Sequence, residues 1–95
     1  MGELALKFAE LNDDVLFGEV WSREDKLSAR DRSMITIAAL FSAGLYPQLK
    51  SRLELGKKQG ITKKEAVEIV TQLAFYCGWP KAWSTFPLIE EVYED

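Results

Sequence analysis

The chain contains no histidine at all. That removes the commonest general acid–base and the commonest metal ligand together. A Ser-His-Asp triad, a Cys-His pair and a histidine-containing zinc site are excluded by counting. Cysteine is nearly absent too: Cys77 stands alone, so no disulfide can form within the chain, which fits a reducing compartment and an expected cytoplasmic location. Positive charge is in deficit, with 12 basic against 15 acidic residues. No basic stripe interleaved with aromatics occurs, and no nucleic-acid partner is expected. Long apolar runs are lacking as well. The stretch from Ile37 to Leu45 is interrupted by Ser42 and Gly44 and is far too short to span a bilayer, so no membrane association is expected. No signal peptide is visible.

What the chain has in surplus is apolar surface. Its 95 residues suffice for one domain, expected over 1–95, yet 47% are hydrophobic and three Trp, five Phe and three Tyr are among them. A domain of this size hides only about two thirds of the surface its unfolded chain exposes. Part of the surplus is therefore expected to pack against another copy of the same chain.

The pattern is all-α, with no convincing strand. Leu4, Phe8 and Leu11 give an apolar face to a helix over Glu3 to Leu11, which Asn12-Asp13-Asp14 either interrupts or caps for a continuation to Trp21. Ser22 to Lys26 reads as a loop. Ser28, with Asp31 three residues on, opens a helix that runs to Gly44. From Met34 to Leu45 it is apolar nearly all round, which marks it as the central element. Gly44 supplies a left-handed stop, and Pro47 suits the first turn of the next helix, which ends at Gly60. Thr62 and Glu65 form a capping-box pair, with Ile61 placed to staple onto Ala66. That helix runs to about Cys77 and stops at Gly78. Pro80 opens the last helix, with Ala82, Phe86, Ile89 and Tyr93 on one face, and Pro87 is expected to kink or break it.

From Leu27 onward the order of residues resembles the carboxymuconolactone decarboxylase family, whose helical core is similar to that of the alkylhydroperoxidase D-like proteins. The resemblance covers about residues 27–87. It rests on Leu27-Ser28-Ala29-Arg30-Asp31-Arg32-Ser33, on Gly60-Ile61-Thr62 followed by Glu65 and Glu68, and above all on the run Gln72-Leu73-Ala74-Phe75-Tyr76-Cys77-Gly78-Trp79-Pro80. It implies a compact helical bundle assembled as a homo-oligomer, often a hexamer built as a trimer of dimers. It also implies cofactor-free, lyase-type chemistry on a lactone carrying a carboxylate. The family's catalytic histidine falls where this chain has Arg52. The redox branch's two cysteines fall on Leu45 and Gln48. Neither the decarboxylase nor the peroxidase pattern is intact, and no cofactor or metal is expected.

Five residues then become site candidates. Arg52 either grips a substrate carboxylate with its bidentate fork or pairs with a neighbouring acid; a guanidinium cannot shuttle protons. Arg32 shares a small-sided stripe with Thr36, Ala39 and Ala43, and either binds an anion or forms a structural ion pair with Glu68. Glu68, Gln72 and Tyr76 lie one turn apart on one helix, where they line a pocket as acid, amide and phenol or form a solvated face. Arg52 and Glu68 are the candidates for catalysis; Arg32, Gln72 and Tyr76 are those for ligand binding. Cys77, at a helix carboxyl end that disfavours the thiolate, is expected to be buried. Trp79, Trp83 and Phe86 are expected to serve core and subunit-interface packing. Three functions stay open at this level: a family protein without the standard chemistry that binds a small carboxylate, a cofactor-free lyase or isomerase, and a non-catalytic helical adaptor.

Overall fold

The computed structural model describes residues 3–94; the outermost positions of the expected 1–95 domain lie outside the described residues. Among the described residues the protein is all-α. The chain forms two compact units, the first through Arg32 and the second from Ser33.

In the first unit, α1 (Leu6–Glu10) passes directly into a π-helical segment, Leu11–Val20. The first helix begins later than its apolar spacing predicts, because Ala5 precedes it and offers no side-chain cap. Asn12-Asp13-Asp14 does not interrupt the helix. It enters the wider π winding, which closes with the Trp21 amide donating five residues back to the Leu16 carbonyl at 2.8 Å. Phe17 and Trp21 stack with centroids 5.8 Å apart. None of the residues in these two elements is buried. The loop that follows is tied down by Arg32, whose Nε donates to the Leu27 carbonyl at 3.1 Å and whose Nη2 donates to that of Arg23 at 3.0 Å.

The helix α2 (Ala29–Ala43) starts as its sequence predicts, with the Asp31 amide donating to Ser28 Oγ at 3.1 Å. It is followed by α3 (Tyr46–Lys58), α4 (Lys63–Cys77) and α5 (Trp79–Val92). Gly44, Gly60 and Gly78 separate them, all at positive φ (70°, 98° and 110°), where a side chain would be strained. Thr62 and Glu65 complete the capping box of α4 in both directions, at 3.1 and 3.0 Å.

The core of the second unit is built from stripes on these four helices. Ile37 and Phe41 come from α2, Leu49 and Leu53 from α3, Ala66, Val70 and Ala74 from α4, and Ala82, Ile89 and Val92 from α5. Each is spaced at three, four or seven residues, the repeat of one helix face. Full burial of a Leu or Phe contributes about 1.5–3 kcal/mol, so Phe41, Leu49 and Leu53, at 0% exposure, are principal anchors. Gly56 lets α3 approach closely: a Cβ there would stand 3.1 Å from Ile61 Cδ1 and 3.2 Å from Ile37 Cδ1. Ser33 donates its hydroxyl to the Gln59 side-chain carbonyl beneath this contact. The helix α5 packs against both α3 and α4, and Lys50 on α3 reaches Glu91 on α5 at 2.8 Å.

Two expectations are narrowed. Pro87 does not break α5, which runs unbroken to Val92. The proline and Trp83, whose carbonyl loses its amide partner, are both exposed, so water can reach that carbonyl. Thr85, Ile89 and Val92 meanwhile hold the opposite face in the core. The helix α2 is not buried all round either. Its stripe of Ser33, Ile37 and Phe41 is buried, while Ile35 remains 59% exposed. Four helices in this unit supply one apolar layer, which covers one face of α2.

Candidate functional site

One side of the candidate site lies on α4, which opens at the Thr62–Glu65 capping box. With Ala66, Val70 and Ala74 turned into the core, the face at Glu65, Glu68, Ile69, Gln72 and Leu73 turns to the side. It meets Met34, Ile35 and Ala38 of α2 across an open groove of about 420 Å³. That volume lies within the range of small-molecule sites. Five of the lining side chains are apolar. The polar ones are two carboxylates and an amide, and the lining includes no cation.

The two carboxylates are not equivalent. Glu65 Oε1 accepts the Thr62 amide and is held by the cap. Glu68, a turn further and exposed, has no such duty. The groove can therefore hold an apolar body while Glu68 accepts a hydrogen bond or a proton, and Gln72 supplies a donor and an acceptor beside it. Its two negative charges oppose a carboxylate pointing inward.

Of the candidate site residues, the structure brings Glu68 and Gln72 together. Tyr76 does not join them: it is 80% exposed and outside the groove lining. Arg52 is half-buried on α3, flanking the buried Leu49, Leu53 and Gly56, and it too lies outside that lining. Arg32 has its guanidinium on the Leu27 and Arg23 carbonyls. Cys77, expected to be buried, is half-buried against the core, because α4 ends at the surface. Trp79 and Trp83 are no part of the core, being 55% and 70% exposed. Sequence reasoning missed Met34, Ile35, Ala38, Ile69 and Leu73 as groove residues. The signal was present in α4, where 65, 68, 69, 72 and 73 share one helix face. Nothing in the spacing shows that this face stays open.

Comparison with known proteins identifies the family. The model of the carboxymuconolactone decarboxylase family matches residues 7–91. The chain is 35% identical over 79 residues to the 4-carboxymuconolactone decarboxylase of Acinetobacter baylyi, covering 83% of this chain and 58% of that protein. It is 29% identical over 84 residues to an uncharacterized 15.0 kDa protein from the nqo9-nqo10 intergenic region of Paracoccus denitrificans, covering 86% and 62%. The chain thus belongs to the carboxymuconolactone decarboxylase family. It spans about three fifths of the length of these curated relatives. The match also reaches further than the motifs that first suggested it, taking in α1 and the π-helical segment, where no distinctive motif occurs.

Proposed function

We propose that this chain is a binding member of its family, in which the groove between α2 and α4 takes a small, largely apolar ligand and neither decarboxylation nor hydroperoxide reduction is carried out. The observation that carries the reading is the composition of the groove. Glu68 and Gln72 stand at its lip over Met34, Ile35, Ala38, Ile69 and Leu73, in a chain that has no imidazole and one thiol. Decarboxylation of a lactone acid needs a group that gives and takes a proton near neutral pH, a contribution of about a hundredfold to ten-thousandfold. Arg52 stands at the position where the family resemblance puts the histidine, and a guanidinium is no proton shuttle. Hydroperoxide reduction by a dithiol needs a resolving cysteine, and Leu45 and Gln48 occupy the corresponding positions. A carboxylated ligand is accommodated with its acid group directed out of the groove, away from Glu65 and Glu68.

A second reading, a cofactor-free lyase or isomerase, is favoured by Glu68 itself, a carboxylate free of the capping duty that holds Glu65. The family core is read as alkylhydroperoxidase D-like and the assembly as a ring-like homo-oligomer, a trimer of dimers, in the cytoplasm; the exposed aromatic side chains and the single thiol support this setting.

Amide-resolved NMR titration with 4-carboxymuconolactone tests binding, and its loss by absorbance tests turnover. Shifts at Glu68, Ile69, Gln72 and Leu73 without turnover are expected. Efficient turnover by the unmutated chain would overturn the binding reading in favour of the second.

A further inference from the structure

The groove between α2 and α4 distributes its chemistry unevenly. Its apolar lining comes from both helices, whereas every polar side chain in the lining belongs to α4: Glu65, Glu68 and Gln72. No basic side chain lines it, and Lys64, one turn before Glu68, is exposed and lies outside the lining. The amino end of a helix commonly receives an anion on its backbone N–H groups. Here that end is occupied from within. Thr62 Oγ1 accepts the Glu65 amide at 3.1 Å, and Glu65 Oε1 accepts the Thr62 amide at 3.0 Å. Glu68 has no part in that cap, so the groove offers a ligand's polar group the pair Glu68 and Gln72.

We infer that the ligand of this groove is an apolar amine, a hydrocarbon body carrying one primary ammonium, with the ammonium held between Glu68 and Gln72; the inference rests on the binding reading above and adds the chemical class of the ligand. Residues four apart on a helix stand about 5–6 Å apart at Cβ. One ammonium bridges that span by donating to a Glu68 carboxylate oxygen and to Gln72 Oε1. It has three N–H donors and no lone pair to set against the carboxylate. A hydroxyl in the same place has one donor and satisfies one of the two oxygens. A carboxylate has none, and it meets the negative charge of Glu65 and Glu68. The apolar body contributes alike in all three cases, since Ile35 is 59% exposed and any hydrocarbon that covers it removes the same surface from water. The head group therefore makes the selection, and complementary charge favours the cation.

Amide-resolved NMR titration tests the inference with three probes that share one body: cyclohexylmethylamine, cyclohexylmethanol and cyclohexanecarboxylate. Each is titrated into the unmutated chain, Glu68→Gln and Glu90→Gln. Glu90 is exposed on α5 and outside the groove lining, so its variant removes the same charge elsewhere. The amine is expected to bind tightest, the alcohol next and the carboxylate most weakly. Glu68→Gln is expected to weaken the amine about two- to fivefold, the range of an exposed ion pair, and to leave the alcohol unchanged. Glu90→Gln is expected to leave all three unchanged. An alcohol that binds as tightly as the amine would overturn the ammonium class while leaving the groove a binding site. So would an amine preference that survives Glu68→Gln, or one that Glu90→Gln reduces equally. No shift at Ile69 and Leu73 with any probe up to about 10 mM, enough to register millimolar binding, would overturn the binding reading and this inference together.

Discussion

The Tyr93 hydroxyl donates to the Ile61 carbonyl at 2.6 Å, joining the end of α5 to the loop that enters α4, 32 residues earlier. Lys57 closes the same corner, donating to the Val92 carbonyl at 3.1 Å while its ammonium stands 5.5 Å from the Tyr93 ring. Three helices are tied at one point. Burial raises the Tyr93 phenol above its ordinary value of 10.0, and the Glu65 carboxylate raises it further. The folded protein therefore holds this proton more tightly than the unfolded chain does. The stabilisation is fully present below pH 10 and is lost as pH climbs through the folded-state value. Tyr93→Phe is expected to cost about 1–2 kcal/mol at pH 7, since the Ile61 carbonyl loses its donor. The difference between the two proteins should shrink above pH 10, read from urea denaturation across pH 7–11.

The start of α4 depends on its reciprocal cap. Thr62→Ala removes the acceptor of the Glu65 amide and is expected to lower stability by about 1 kcal/mol. Thr62→Ser should restore most of it. Thermal unfolding followed by circular dichroism measures both.

Gly56 is held small by its neighbours. Alanine gains about 1 kcal/mol in helix propensity over glycine, but here its Cβ would press on Ile61 and Ile37, each 1% exposed. Overpacking of this kind costs about 1–3 kcal/mol, so Gly56→Ala is expected to be neutral to destabilising and Gly56→Val worse. Ile37→Val, which removes one of the two atoms in the way, should offset part of the Gly56→Ala loss in a double-mutant cycle.

Charge at the groove has a predictable sign. With Glu65 and Glu68 in the lining, Glu68→Gln is expected to tighten binding of a carboxylated ligand at low salt. The substitution relieves the Coulomb repulsion between the two carboxylates. The gain should fade as ionic strength rises. Calorimetric titration at two salt concentrations measures it, and weaker binding by Glu68→Gln would show that the carboxylate helps to hold the ligand.

Local chemistry was legible in the sequence. The Thr62–Glu65 cap, the Ser28 start and the stops at Gly44, Gly60 and Gly78 each depend on residues three to five apart, and each stands where its residues say. Pro87 does not break its helix, although the local rule counts a lost hydrogen bond and a clash. It does not count Thr85, Ile89 and Val92 on the other face of the same helix, packed in the core. The apolar run of α2 is covered only in part for a related reason: hydrophobicity states what a face prefers, and only the supply of partners decides whether it is covered.

The site divides along the same line. Residue identity alone established that the chain holds no imidazole and no thiol pair, and the ordered motifs from Leu27 to Pro80 pointed to its family. Such properties are carried by the residues themselves and by their order along one strand of chain. Tertiary structure decided that Glu68 and Gln72 face Met34, Ile35 and Ala38 across an open groove while Tyr76 and Arg52 lie outside its lining. It also decided that Trp79 and Trp83 point outward beside Phe75. A helix fixes the angle between its own side chains, but which face meets another helix depends on how several helices share one limited core.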